Sequence, residues 1–208
     1  MKQFYGASQS GNLAEAVRGL DQPQFIMLLS NNTQFEAHVR ELEASFPGVP
    51  SIGCIGMGYD TRVVENGVAV IAFSDGVKAS ANVLEEVSTM PVKYIGRLER
   101  DIQAVGGSEH DTVCIDFCAG NDACVLTTLN TVLRGRGISL VGGTGDGGKV
   151  SANGRFYQDA VAYGIVKNLR GRIKTYKENI YHPYKNNHFI ASETDREKYI
   201  NGTQNDRP

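Results

Sequence analysis

The chain has 208 residues, and 24 of them are glycine, about nine more than an average usage near 7% would give. With 41% apolar and 21% charged residues it has the material for a globular core, and 6 prolines with no three-residue glycine period exclude collagen and proline-rich linkers. Lys+Arg 21 against Asp+Glu 23 leaves a net charge of −2, so no global basic field draws the chain onto nucleic acid or anionic lipid.

Taken in chain order, the pattern alternates strand and helix. No secretory signal opens the chain. Residues 25–30 (FIMLLS) read as a buried strand, and 33–46 carry helical spacing through Phe35, Val39, Leu42 and Phe46. Pro47-Gly48-Val49-Pro50 stops that helix, and a strand at 51–55 breaks up in Gly53, Gly56 and Gly58. Residues 67–74 and 77–87 read as two strands joined by an Asp75-Gly76 turn, and 92–105 as a helix closed by Gly106-Gly107. A strand at 112–118, a helix at 122–133 and a strand at 138–141 lead into the glycine run 142–148. Two further strands, 154–169 and 172–181, complete the series.

The series repeats. An offset of 89 residues sets 25–32 beside 114–121 and, with no gap through the intervening helix, pairs Gly53 with Gly142 and Gly56 with Gly145. Each copy then reads strand, helix, strand, glycine loop and two-stranded hairpin. The expected fold is α/β (α+β mixed), with internally duplicated strand–helix–strand–hairpin units forming mixed sheets with packed helices. The glycine loops fall at strand carboxyl ends, where open α/β sheets place ligands. Aliphatic residues thin out near the end, so the expected division is a domain at 1–181 and, at 182–208, a tail or the start of a further domain.

Several motifs invite chemistry. Gly143 to Gly148 satisfies GxGxxG, and with Lys149 it satisfies GxxxxGK, but a strand-like stretch follows where both phosphate motifs need a helix. A loop whose bare amides face a small ligand or another main chain is the better reading. The four cysteines, Cys54, Cys114, Cys118 and Cys124, form no CxxC pair, and no histidine motif accompanies them. Cys118 at a strand end and Cys124 in a first helical turn invite a nucleophile reading, against which stands the general burial of free cysteines. Asp116 shares a strand face with Cys114 and Cys118, so it either faces solvent or answers a cation or ligand. Asn32 and Asn121 read as helix N-caps beside the strand ends.

With Ser51-Ile-Gly-Cys54 followed by Gly58, and Leu140-Val-Gly-Gly-Thr-Gly-Asp146 followed by the 156–166 strand, the chain resembles the N-terminal domain of the FIST family (F-box and intracellular signal transduction). The resemblance covers residues 1 to about 181, and the 189–202 stretch resembles the start of that family's C-terminal domain. It implies a cytoplasmic sensory domain of bacterial signalling proteins, binding small molecules and coupled to a signalling output domain or kinase partner. The usual polar residues after the first Gly-Cys are replaced by Ile55, Gly56 and Tyr59, and the second loop has Thr144-Gly145-Asp146-Gly147, so no ligand residue transfers one by one.

The expected site is the paired glycine loops, with Gly53, Cys54, Gly56, Tyr59, Arg62, Asp116, Asn121, Gly142, Gly143, Thr144 and Asp146 as ligand-binding residues. No catalytic residue, metal, cofactor, nucleic acid or membrane enters this reading. The alternatives are a thiol-dependent, hydrolase-like enzyme using Cys118 or Cys54 and a haem-based gas sensor.

Overall fold

The computed structural model of the chain describes residues 1–59, 63–89, 91–120, 122–176, 189–194 and 200–205. The chain divides into two compact units, Met1–Lys174 and Thr175–Pro208. The first unit opens with β1 (Lys2–Ser8), α1 (Leu13–Ala16), β2 (Phe25–Ser30), α2 (Phe35–Ser45) and β3 (Ser51–Ile55). The short β4 (Gly58–Tyr59) and β5 (Val63–Val64) and then β6 (Val68–Ser74) follow. A second series runs β7 (Val77–Glu85), α3 (Ile95–Val105), β8 (Thr112–Cys118), α4 (Asp122–Arg134) and β9 (Ser139–Thr144). It ends with β10 (Asp146–Ala152), β11 (Arg155–Tyr157) and β12 (Ala160–Asn168). The second unit holds an antiparallel pair, β13 (Phe189–Thr194) and β14 (Ile200–Asn205).

Two mixed sheets organise the first unit, one in the order β1-β6-β2-β3-β10-β11 and one in the order β7-β12-β8-β9. Both follow one scheme. β6 runs antiparallel to β1 and β2 while β2 is parallel to β3. Likewise β12 runs antiparallel to β7 and β8 while β8 is parallel to β9. The repeat is therefore strand–helix–strand–helix–strand–strand, and the fold is a duplicated, mixed α/β one.

Side-chain alternation along the strands makes four layers. Phe25 and Met27 of β2 meet Val113 and Ile115 of β8 and Ala160 and Ala162 of β12 in a core between the sheets. The alternate residues Ile26 and Leu28 pack against Leu13 of α1 and Phe35, Val39 and Leu42 of α2. On the far side Cys114, Cys118, Val161 and Tyr163 pack against Leu98 and Ile102 of α3 and Val125 and Leu129 of α4. Each helix buries residues spaced three or four apart, as its amphipathic pattern requires.

Four expectations are corrected. The expected hairpin at 67–87 does not form: β6 already has β1 and β2 on its two edges, so β7 leaves to open the second sheet. The Val77 amide, which a hairpin would have used, donates to the Gln24 side chain at 2.9 Å. The hairpin expected at 154–181 fails for the same reason, because β7 and β8 fill both edges of β12, and 172–176 lie outside any strand; 177–181 lie outside the described residues. Nor is the run 142–148 a loop. Gly142, Gly143 and Thr144 belong to β9, and Asp146 onwards to β10. The ungapped alignment is corrected as well: Leu28 lies opposite Gly53, 25 residues on, whereas Asp116 lies opposite Gly142, 26 residues on. One inserted residue separates the copies, and Asp116, not Phe117, occupies the place of Leu28.

Close approach of the sheets depends on Gly164 of β12, where a Cβ would lie 2.3 Å from the Phe25 ring. Gly164→Ala forces that fully buried ring aside, and overpacking of this kind costs about 1–3 kcal/mol. Urea denaturation of Gly164→Ala is expected to show that loss, and Phe25→Leu in the same background to restore part of it. An unchanged midpoint would rule out the inter-sheet contact.

Candidate functional site

The parallel strands of both repeats end on the same side, and the chain crosses between the sheets there. The Gly145 amide donates to the Cys118 carbonyl at 2.9 Å, continuing the second sheet, and the next residue, Asp146, already lies opposite Ile55 of β3 in the first. The β3–β10 register slips between Asp146 and Val150, where Gly147 and Gly148 both hold φ +65. Two successive residues in the left-handed region favour glycine strongly.

Beside this crossing a cleft of about 440 Å³ opens at the carboxyl ends of β2 and β3. Its walls come from 30–34 after β2, from 55–57 after β3, from Glu65 and Asn66 before β6, and from Asp146. A larger cleft of about 1110 Å³ lies at the other end of the first sheet, around Lys2, Gln22, Asp75 and Arg170. There Arg170 and Asp75 satisfy one another through two contacts of 3.0 Å, and Lys2 and Asp21 line the same cleft.

The smaller cleft lies beside the crossing between the sheets. Its frame is tied down: Asn31 donates to the Asn66 carbonyl at 2.9 Å and to Gln34 Oε1 at 2.9 Å, and its Oδ1 accepts from the Gln34 amide at 2.9 Å. Below it, Ser30 Oγ lies 2.8 Å from His38 Nδ1, and His38 Nε2 lies 2.8 Å from the Gly11 carbonyl. A carbonyl only accepts, so His38 Nε2 carries a proton and donates to the Gly11 carbonyl. Both residues are buried. By contrast, the side chains of Asn32, Thr33, Glu65, Asn66 and Asp146 make no hydrogen bond or ion pair among the described residues.

Of the residues singled out in the sequence, the structure brings Gly56 and Asp146 to this cleft. Gly53 and Cys54 are buried inside β3, and Tyr59 of β4 is 71% exposed away from the cleft walls. Gly142, Gly143 and Thr144 lie on β9, an edge strand of the second sheet. Arg62 and Asn121 lie outside the described residues. Asn32 reaches the cleft but does not cap α2, whose N-cap position is Gln34. Thr33, Glu65 and Asn66 were not read from sequence; Glu65 and Asn66 sit on a short turn with no pattern to flag them.

Cys54, Cys114 and Cys118 belong to the core, and the side chain of Cys124 lies outside the described residues. Burial, and then the negative charge of Asp146, push the Cys54 thiol up to about 12, and burial pushes Cys114 well above its ordinary value. Cys118 is 1% exposed and points its thiol at the Gly120 carbonyl. Cys54 and Cys114 are therefore thiols, not thiolates, at neutral pH.

Asp116 is the exception in the second helix-facing layer. It is 5% exposed, and burial pushes its carboxyl up to about 6, its own backbone amide pulling the other way. Its counterpart Leu28 is an ordinary core residue. A Cβ on Gly142 would lie 2.2 Å from Asp116 Oδ1, so the carboxylate fills the space that a side chain at 142 would take.

The model of the FIST N domain matches residues 24–200, and the chain belongs to that family. Its members are signal-transduction sensory domains. No curated protein matches the chain. No helix among the described residues is long and apolar enough to cross a membrane.

Two measurements follow from these side chains. Iodoacetamide at pH 7 is expected to leave Cys54, Cys114 and Cys118 unmodified in the native chain, and rapid stoichiometric labelling of Cys54 would contradict their burial. For Asp116 the folded pKa lies above the unfolded one, so the folded state binds the proton more tightly. Its destabilising contribution is complete above pH 6 and vanishes as pH falls below about 4. Asp116→Leu, which installs the residue of the first repeat, is expected to stabilise the chain by roughly 3 kcal/mol at pH 7 and by much less at pH 4.5. Equal effects at both pH values would show that Asp116 does not titrate in this range.

Proposed function

We propose that this chain is a cytoplasmic sensory domain that binds a small polar molecule in the cleft at the carboxyl ends of β2 and β3. Occupancy would be passed to a signalling output domain or kinase partner. One observation carries the reading. Five polar side chains (Asn32, Thr33, Glu65, Asn66 and Asp146) converge on one cleft without satisfying each other. Polar groups held in a rigid frame and left uncommitted offer a ligand hydrogen bonds at little ordering cost. Membership of a sensory family supports the same reading.

The site's position adds support. It draws on the ends of β2 and β3 and on the segment that leaves the second sheet, so a bound molecule would touch both halves of the duplicated unit. Such contact is what a sensor needs if binding is to favour one arrangement over another.

A thermal-shift screen of the full chain against metabolites tests the proposal. A hit is expected whose shift disappears in Asn32→Leu, a change at an exposed wall residue that leaves the core intact. A hit that Asn32→Leu leaves untouched places the ligand elsewhere, and the absence of any hit across a broad panel counts against a sensory ligand in this unit.

A further inference from the structure

We infer that the cleft is selective for a small cationic amine, one carrying a protonated amine or guanidinium and no carboxylate. The inference rests on the cleft being the binding site. Glu65 and Asp146 are its charged walls, and no lysine, arginine or histidine lines it among the described residues. They reach it from distant parts of the chain, Glu65 from the turn before β6 and Asp146 from the first position of β10. Neither is neutralised by an ion pair among the described residues, whereas Lys149 on the same strand as Asp146 pairs with Glu36 at 2.8 Å.

The charge of Asp146 is felt inside the protein. It helps to hold the Cys54 thiol up, after burial itself, so its field acts on groups in the low-dielectric wall behind the cleft. The amino end of α2 opposes it, because Thr33 and Gln34 line the cleft there. That end contributes about half a positive charge, against two whole negative ones, and the carboxylates win. An anionic ligand would have to shed water between two carboxylates with no cation among the described residues to receive it, whereas an ammonium would be met by carboxylates.

The neutral groups fit the same class. The amide oxygens of Asn32 and Asn66 and the hydroxyl of Thr33 can accept from the remaining N–H or O–H groups of such a ligand. A volume of about 440 Å³ stands at the low end of small-molecule sites, which suits a short amine rather than a long polyamine chain. A bare metal ion fits poorly, since no three His, Cys, Asp or Glu side chains converge anywhere among the described residues.

Calorimetric titration of the full chain with three matched sets of compounds tests this. The sets are 1,4-diaminobutane and agmatine, the neutral N,N′-diacetyl derivative of 1,4-diaminobutane, and dicarboxylates of similar length. Only the amines are expected to bind, with affinity falling at least tenfold in Glu65→Gln and in Asp146→Asn and weakening in 0.5 M NaCl. Both substitutions are at exposed positions, and an unchanged melting temperature without ligand checks that the fold is intact. Binding of a neutral or dicarboxylate compound that Asn32→Leu abolishes overturns the amine class and leaves the cleft standing as the site. No binding in any set overturns the inference, and binding that Asn32→Leu leaves unchanged overturns the cleft as well.

Discussion

The architecture follows from a shortage of strand edges. A strand in a sheet has two edges, and a backbone amide or carbonyl left without a partner away from water costs free energy comparable to a lost hydrogen bond. Once β1 and β2 have taken the two edges of β6, the chain leaving β6 can add nothing to that strand and must start again elsewhere. It does so by repeating itself. β7 begins a second sheet in the role that β1 has in the first, and β12 closes the second repeat as β6 closes the first. Two sheets, each covered by helices on one face, then bury their other faces against each other, and Gly164 lets the Phe25 ring set their spacing.

The exception to the symmetry creates the cleft. In the first repeat, the described residues between β3 and β6 make the short β4–β5 pair. In the second, the matching segment becomes β10 and β11 and crosses to pair with β3. That crossing joins the sheets at one end, through Gly145 on Cys118 and Asp146 opposite Ile55. It also carries a carboxylate from the second repeat onto a cleft whose other walls belong to the first. The carboxyl ends of the parallel strands, where open sheets place ligands, are thus walled by an asymmetric segment laid over a symmetric scaffold.

What was legible in the sequence was local. The runs at 25–30 and 112–118, the amphipathic spacing of α2 and α3, and the duplication itself follow from hydrophobic period, which each segment carries within its own residues. Pairing was not legible in the same way. Asp75-Gly76 has the chemistry of a tight hairpin turn, and both residues do adopt positive φ, yet the flanking strands part because edge occupancy is decided by β1, more than sixty residues earlier. The glycine run was legible as geometry but not as a site. Its residues serve an edge strand, a crossing and a bulge, while Asn32, Thr33, Glu65 and Asn66 carry the uncommitted polar groups of the cleft. Asn32 is marked by its place at a helix start, but residue types such as those of Thr33, Glu65 and Asn66 are common enough in turns that nothing in the order of residues marks them.

Asp116 shows how far the two repeats have diverged in chemistry while keeping one backbone plan. Gly53 and Gly142 are equivalent, and each lies against the residue opposite it in the neighbouring strand: Leu28 in one case, Asp116 in the other. For leucine the arrangement is ordinary core packing, worth about 1.5–3 kcal/mol of burial. For aspartate the same position withholds water from a carboxyl group and shifts its ionisation toward neutrality. Leu28 holds the equivalent place in the first repeat, so the shared backbone plan does not demand the acid. The carboxyl therefore makes the second repeat's stability depend on pH in a range where the first repeat's equivalent position cannot respond.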